Sequence, residues 1–261
     1  MFAPGGRAGT EIFQYQAVEH SPAGYTFIYP KNYVRLLMFT RGGKKMKKIG
    51  VMLSGCGVFD GAEIHEATLT LLAINKQGAQ AVCMAPDMMF DVVDHFNQKP
   101  AGEQRNVLVE SARIARGNIL NTKDLNTSDI DALILPGGFG AAKNLSNFAV
   151  KGADATVHPE VQRILDEMIA SKKPIGAICI APATVAKALG QYQVKVTIGN
   201  DTDTAQAIEG TGAKHIQCPV HDICIDDVNN IITTPAYMLG PDIKDVAVGI
   251  DKLVTEVIQR A

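Results

Sequence analysis

Lys173-Pro174-Ile175-Gly176-Ala177-Ile178-Cys179-Ile180-Ala181-Pro182, running on as Ala183-Thr184-Val185-Ala186-Lys187-Ala188-Leu189-Gly190, reads as a strand that turns sharply into a helix. The apolar run from Ile175 to Ile178 is short and continuous, as a parallel strand covered on both faces should be. It stops at Cys179, and Pro182 follows in the first turn of a helix-forming segment, a position proline suits. Such a turn pushes its middle residue out of the sheet, toward the unpaired N–H groups at the helix start. Those groups and the helix dipole favour negative charge, so Cys179 is expected to have a lowered pKa and to act as a nucleophile. The competing reading is a small buried cysteine, since free thiols are often interior.

The same alternation extends on both sides. Apolar runs over 49–53, 81–84, 131–135 and 194–198 predict strands, and shorter strands are expected around Ile216, Ile223 and Ile231. Helical spacing marks 64–75, 159–170, 202–208 and 242–259, with Val161, Ile164, Leu165 and Met168 on the inward face of the second. Residues 106–116 fit a helix or a strand equally well. This alternation predicts an α/β fold, a single-domain doubly wound (flavodoxin-like) and mostly parallel sheet with helices on both faces and a nucleophile elbow. In such sheets ligands bind beyond the carboxyl ends of the central strands. Three loops leave such ends: 54–66, 136–143 and 179–182.

Composition narrows the function classes. With 46% hydrophobic residues, a net charge of −2 and no basic block, the chain has the core of a globular domain and no footprint for nucleic acid. No apolar run is long enough to span a bilayer. The five cysteines (56, 83, 179, 218 and 224) are odd in number and lack zinc-type spacing, so a reduced, cytoplasmic setting without a bound metal is expected. Residues 1–45 differ from the rest, holding eight of the fifteen Phe and Tyr residues and six Lys/Arg against two Glu. Arg41-Gly42-Gly43 is what a purine-rich ribosome-binding site yields when read as codons. Met46 is therefore expected to be the native start, with 1–45 a non-native or disordered leader and 46–261 the folded domain.

The first of the three loops, Gly55-Cys56-Gly57-Val58-Phe59-Asp60-Gly61, imitates a dinucleotide fingerprint. Its spacing is GxGxxxG rather than GxGxxG, and no acid closes a clear second strand, so no nucleotide cofactor is expected. Its better use is to present Glu63 and Glu66 at the start of the following helix, where the plain alternative is that both only complement the helix dipole. Pro136-Gly137-Gly138 lies where backbone N–H groups could face an oxyanion. His158-Pro159-Glu160 reads as a helix start, not as half of a catalytic triad.

The stretches SGCGVFDGAEIHEA (54–67), ILPGGFGAAKNLSNFA (134–149), GAICIAPA (176–183) and ITTPAYMLG (232–240) together resemble the superfamily of PfpI/ThiJ proteins and class I glutamine amidotransferases. Within it they are similar to the ElbB-type glyoxalases, also described as isoprenoid biosynthesis proteins with an amidotransferase-like domain. The resemblance covers 46–261. It implies Cys179 as the nucleophile, Glu66 as the acid, and Gly137, Gly138 and Ile180 as the oxyanion and substrate-binding amides. Glu63 and His65 stand beside them as secondary candidates. PfpI-type proteases carry a histidine directly after the nucleophile, where this chain has Ile180. The histidine that other branches place after the next strand is replaced near Gly199-Asn200, so protease and glutaminase chemistry lose their base. What the resemblance implies is a cofactor-independent glyoxalase taking small α-dicarbonyls such as glyoxal to glycolate, acting as a homodimer. The alternative is a non-catalytic protein sensing oxidants or carbonyl stress, linked to isoprenoid synthesis.

Overall fold

The computed structural model describes residues 46–261, together with the strands Tyr15–Ala17 and Ile28–Pro30. The chain divides into two compact units, Met1–Lys45 and Met46–Ala261. In the first, the two short strands pair antiparallel. The expectation of a non-native or disordered leader otherwise lies outside the described residues.

In the second unit the described residues build a seven-stranded sheet. Its strands are β1 (Lys48–Met52), β2 (Gln80–Ala85), β3 (Ile119–Asn121), β4 (Ala132–Leu135), β5 (Ile175–Ile178), β6 (Cys224–Asp226) and β7 (Ile231–Thr234). They lie in the order β6-β7-β5-β4-β1-β2-β3, all parallel except the edge pair β6–β7. Strands β4, β5 and β7 are buried at every position. They read as unbroken apolar or β-branched runs because helices cover both faces. On one face Ile164, Leu165 and Met168 of the helix Pro159–Ala170 pack with Ala183 and Val185 of the helix Ala181–Leu189. On the other, Ala67 and Ile74 of the helix Ile64–Lys76 pack with Ile250, Leu253 and Val257 of the helix Ile243–Arg260. Gly176 lets that last helix approach the sheet, since a Cβ there would meet Leu253 Cδ2 at 2.9 Å. Among the described residues no helix is long and apolar enough to cross a membrane.

Several local expectations are met by identifiable contacts. His158 caps the helix Pro159–Ala170, its Nδ1 accepting the Glu160 N–H at 3.3 Å. The undecided segment becomes the helix Val107–Ile114, because the Asn106 side chain accepts the Val109 N–H at 3.1 Å and so starts it. Two features differ. Residues 89–106 form a hairpin, Met89–Asp94 against Lys99–Asn106, with a register shift between Asp91 and Val93 that blurs its alternation. The strand expected over 194–198 shortens to Lys195–Val196 and pairs with Lys214–His215, outside the main sheet. Its continuation is held by a side chain instead, Thr197 N–H to Thr233 Oγ1 at 2.9 Å.

Strand register decides where the loops emerge. Leu135 lies beside Ala177 and Ile178 beside Thr234, while Val51 pairs with Ile134. The loops after β1, β4, β5 and β7 therefore leave the sheet at one edge.

Candidate active site

Cys179 is the first residue beyond β5, and it adopts φ +61°, a left-handed conformation that residues other than glycine seldom take. Its N–H still donates to Thr234 O of β7 at 2.9 Å, so the sheet holds the turn in place. Ile180 caps the helix Ala181–Leu189 through its backbone alone. The backbone amides of Ile180 and Gly138 and the Glu66 carboxyl all stand beside Cys179 Sγ and act on its pKa. The side chain is buried, with 7% of its surface exposed.

Glu66 reaches this thiol from the first turn of Ile64–Lys76, and it is fully buried. Its Oε2 accepts the Gly137 N–H at 3.0 Å, and its Oε1 accepts the Tyr237 N–H at 3.3 Å. Glu63 is the cap of the same helix: its Oε2 accepts the Glu66 N–H at 2.7 Å, and its own N–H donates to Gly137 O at 2.9 Å. The plain reading of Glu63 as a helix-end residue is thus the one the structure supports. Only glycine fits the loop beyond β4. A Cβ on Gly137 would sit 2.4 Å from Cys179 Cβ and 2.6 Å from Glu66 Oε2, and one on Gly138 (φ +92°) would sit 2.3 Å from Glu63 N.

The electrostatics correct one expectation. Burial, and then the Glu66 carboxylate, push the Cys179 thiol well above its usual range, and the amides of Gly138 and Ile180 only partly oppose this. The helix start does favour an anion, but desolvation and a carboxylate in contact with the sulfur outweigh it. Glu66 in turn is pushed up to about 8 by burial and by the charge of Glu63, against the donors at Tyr237, Cys179 and Gly137. Burial thus favours the protonated form of the Glu66 carboxyl. Both shifts favour keeping a proton on each group, which argues against a standing thiolate beside a carboxylate.

The structure brings Cys179, Glu66, Gly137, Gly138 and Ile180 together, with the Gly137 amide serving Glu66 and those of Gly138 and Ile180 serving the sulfur. His65 is exposed and lies at the rim, its Nδ1 2.8 Å from the Tyr237 hydroxyl. Sequence reasoning passed over Tyr237 itself. The Gly55–Gly61 loop closes on itself, Gly57 N–H to Ala62 O and Gly61 N–H to Gly57 O, both at 2.8 Å. The amides of Gly57 and Gly61 thus serve nearby backbone carbonyls, and the Gly61 carbonyl accepts the Gly140 N–H at 2.9 Å, tying this loop to the one after β4.

Comparison with known proteins agrees with this architecture. A model of the DJ-1/PfpI family matches residues 57–236. The chain is 44% identical over 223 residues to the ES1 protein homolog, mitochondrial, of Rattus norvegicus, covering 81% of this chain and 83% of that one. It is 38% identical, with a TM-score of 0.77, to the structure of an isoprenoid biosynthesis protein with amidotransferase-like domain from Ehrlichia chaffeensis, covering 82% of this chain and 100% of that one. That description is the one the four sequence motifs pointed to. Glyoxalase III from Candida albicans shares the fold, with a TM-score of 0.52 at 17% identity over 82% of this chain and 97% of that one. One expectation falls here. The rat relative is named as mitochondrial, as are relatives from Homo sapiens and Danio rerio, which overturns the cytoplasmic assignment. Reduced cysteines report a redox condition and do not identify a compartment, so they could not decide between the two.

Proposed function

The chain belongs to the DJ-1/PfpI family, and on that premise we propose that it is a cofactor-independent glyoxalase that converts glyoxal and similar small α-dicarbonyls to 2-hydroxy acids. The observation that carries this reading is the contact of one buried carboxyl with one buried thiol, in front of two backbone donors.

The steps use only these groups. Cys179 Sγ adds to one aldehyde carbon while its proton passes to the former carbonyl oxygen by way of Glu66, giving a hemithioacetal. The Gly138 and Ile180 amides stand beside the sulfur, where charge develops on the neighbouring oxygen. Glu66, as the carboxylate, then takes the C–H proton of that carbon. The resulting enediol receives a proton at the second carbon and becomes a thioester. Water cleaves the thioester to glycolate and restores the thiol. A carboxyl held near neutrality can serve both directions of proton transfer, in place of the histidine absent at Ile180 and near Gly199-Asn200.

The sensing alternative needs a standing thiolate, and at Cys179 both burial and Glu66 oppose one. The test is glycolate formation from glyoxal by the purified protein, followed over many equivalents. Steady turnover in the wild type, with loss of at least ~10²-fold in Cys179→Ala, is the expected result. A single stoichiometric adduct without glycolate would overturn it.

A further inference from the structure

We infer that Tyr237, anchored by His65, is a positioning residue that holds Glu66 in its proton-transferring orientation. This role rests on the reading of Glu66 as the proton carrier. His65 and Glu66 are neighbours in the first turn of Ile64–Lys76, and Tyr237 grips both of them. Its backbone N–H donates to Glu66 Oε1 at 3.3 Å, and its phenol meets His65 Nδ1 at 2.8 Å, with the two rings 5.8 Å apart. The contacts close a ring between two segments far apart in sequence.

The turn that delivers Tyr237 is strained in the same manner as the elbow. Ala236 is fully buried and sits at φ +44°, where a residue with a Cβ is disfavoured. Its carbonyl accepts the N–H groups of Leu239 at 3.1 Å and Gly240 at 2.7 Å, and Pro235 O accepts that of Met238 at 3.0 Å. Those bonds lock the turn just past the end of β7, beside the strand that leads into Cys179. Strain of this kind persists where the surroundings over-determine it, and it concentrates at functional sites. Here its product is one amide aimed at the Glu66 Oε1 against burial and the charge of Glu63.

The charged and titratable groups facing Glu66 are Glu63 from its own helix, Cys179 from the elbow and Tyr237 from this turn. Tyr237 in turn faces Glu63, Glu66 and Asp242, besides His65. An N–H on a carboxylate favours the ionised form. Loosening Tyr237 should therefore raise the pH at which the thiol–carboxyl pair first gives up a proton.

The experiment follows the rate of Cys179 alkylation by iodoacetamide against pH in the full chain, in a Cys56→Ser background, and needs no substrate. Tyr237→Phe and His65→Leu each remove the phenol–imidazole bond. Each should move the profile midpoint up by roughly half to one pH unit, slowing alkylation at neutral pH about three- to tenfold. His65→Gln keeps an acceptor for the phenol and should return the profile toward the wild-type one. The double variant should shift no more than either single one, because both cut the same link. Wild-type profiles in both single variants, or additive shifts in the double, would overturn the inference. If Tyr237→Phe does not fold, His65→Leu decides alone, since His65 is at the surface. A wild type that alkylates normally but makes no glycolate would refute the glyoxalase reading and leave the positioning result standing.

Discussion

The turn after β1 holds Cys56 between two glycines, and the turn after β5 holds Cys179 between two isoleucines. In the first, Gly55 (φ +118°) and Gly57 (φ +141°) take the left-handed backbone, and Cys56 does not. In the second the cysteine takes it itself. Cys56 is the more exposed of the two and opens on a cleft of about 300 Å³ shared with Asp60, His95, Arg105 and Glu110. Burial and the Glu110 carboxylate push its thiol up. Cys179 is nearly sealed, yet two amides and a carboxyl meet on its sulfur. The comparison separates access from chemistry. The accessible thiol is only accessible, whereas the buried one has partners that can move a proton and hold a charge.

The largest effect expected from breaking this contrast lies at Gly137. A methyl group there would collide with both Cys179 and Glu66, so Gly137→Ala should abolish turnover. It should also destabilise the fold by about 1–3 kcal/mol, as measured in denaturant melts. An active, fully stable variant would show that the loop is not packed on the pair as described.

Next comes the acid itself. Glu66→Gln should lower turnover ~10²-fold or more while adducts with glyoxal still form at Cys179. It should also change how stability varies with pH. Folding raises the Glu66 pKa from the ordinary 4.5 to about 8, so the folded state holds a proton that the unfolded chain has released. That stabilisation is complete below about 4.5 and is lost as pH rises to about 8, whereas the Glu66→Gln variant should lack the loss. Melting temperatures across this window decide it. Glu63→Gln is the paired control. It should cost under roughly tenfold in turnover, because the amide oxygen can still cap the helix, and it should move the pH profile down by removing the charge beside Glu66.

The smallest effect belongs to the exposed thiol. Cys56→Ser should change turnover by no more than about twofold. A bulky maleimide should label Cys56 before any other described cysteine and leave activity in place. Loss of activity in step with that labelling would join the two turns into one site.

Much of this was legible from local pattern. Ile175–Ile178 ending at Cys179 marked the elbow, the spacing through Val161 and Met168 marked a packed helix, and His158-Pro159-Glu160 marked its start. Glu66 was legible by motif resemblance, since one turn of helix separates it from Glu63 and propensity treats the two alike. The hairpin over 89–106 was not legible, because its bulge breaks the alternation and one of its strands, Lys99–Asn106, is almost wholly exposed. Tyr237 was not either, since what marks it is a backbone N–H and no backbone N–H is special until its partner is known.

The sequence by itself determined the strand–helix alternation, a cysteine just beyond a strand end, and two glutamates at the start of the helix that follows the first strand. Each of these depends on periodicity or on a residue's own backbone freedom, which a short window contains. The tertiary structure alone decided that the Gly137 amide serves Glu66, that the Tyr237 amide does too, and that the thiol's pKa is raised, not lowered. Those outcomes depend on desolvation and on charges and donors contributed by segments after β1, β4, β5 and β7, brought together only by the register of the sheet.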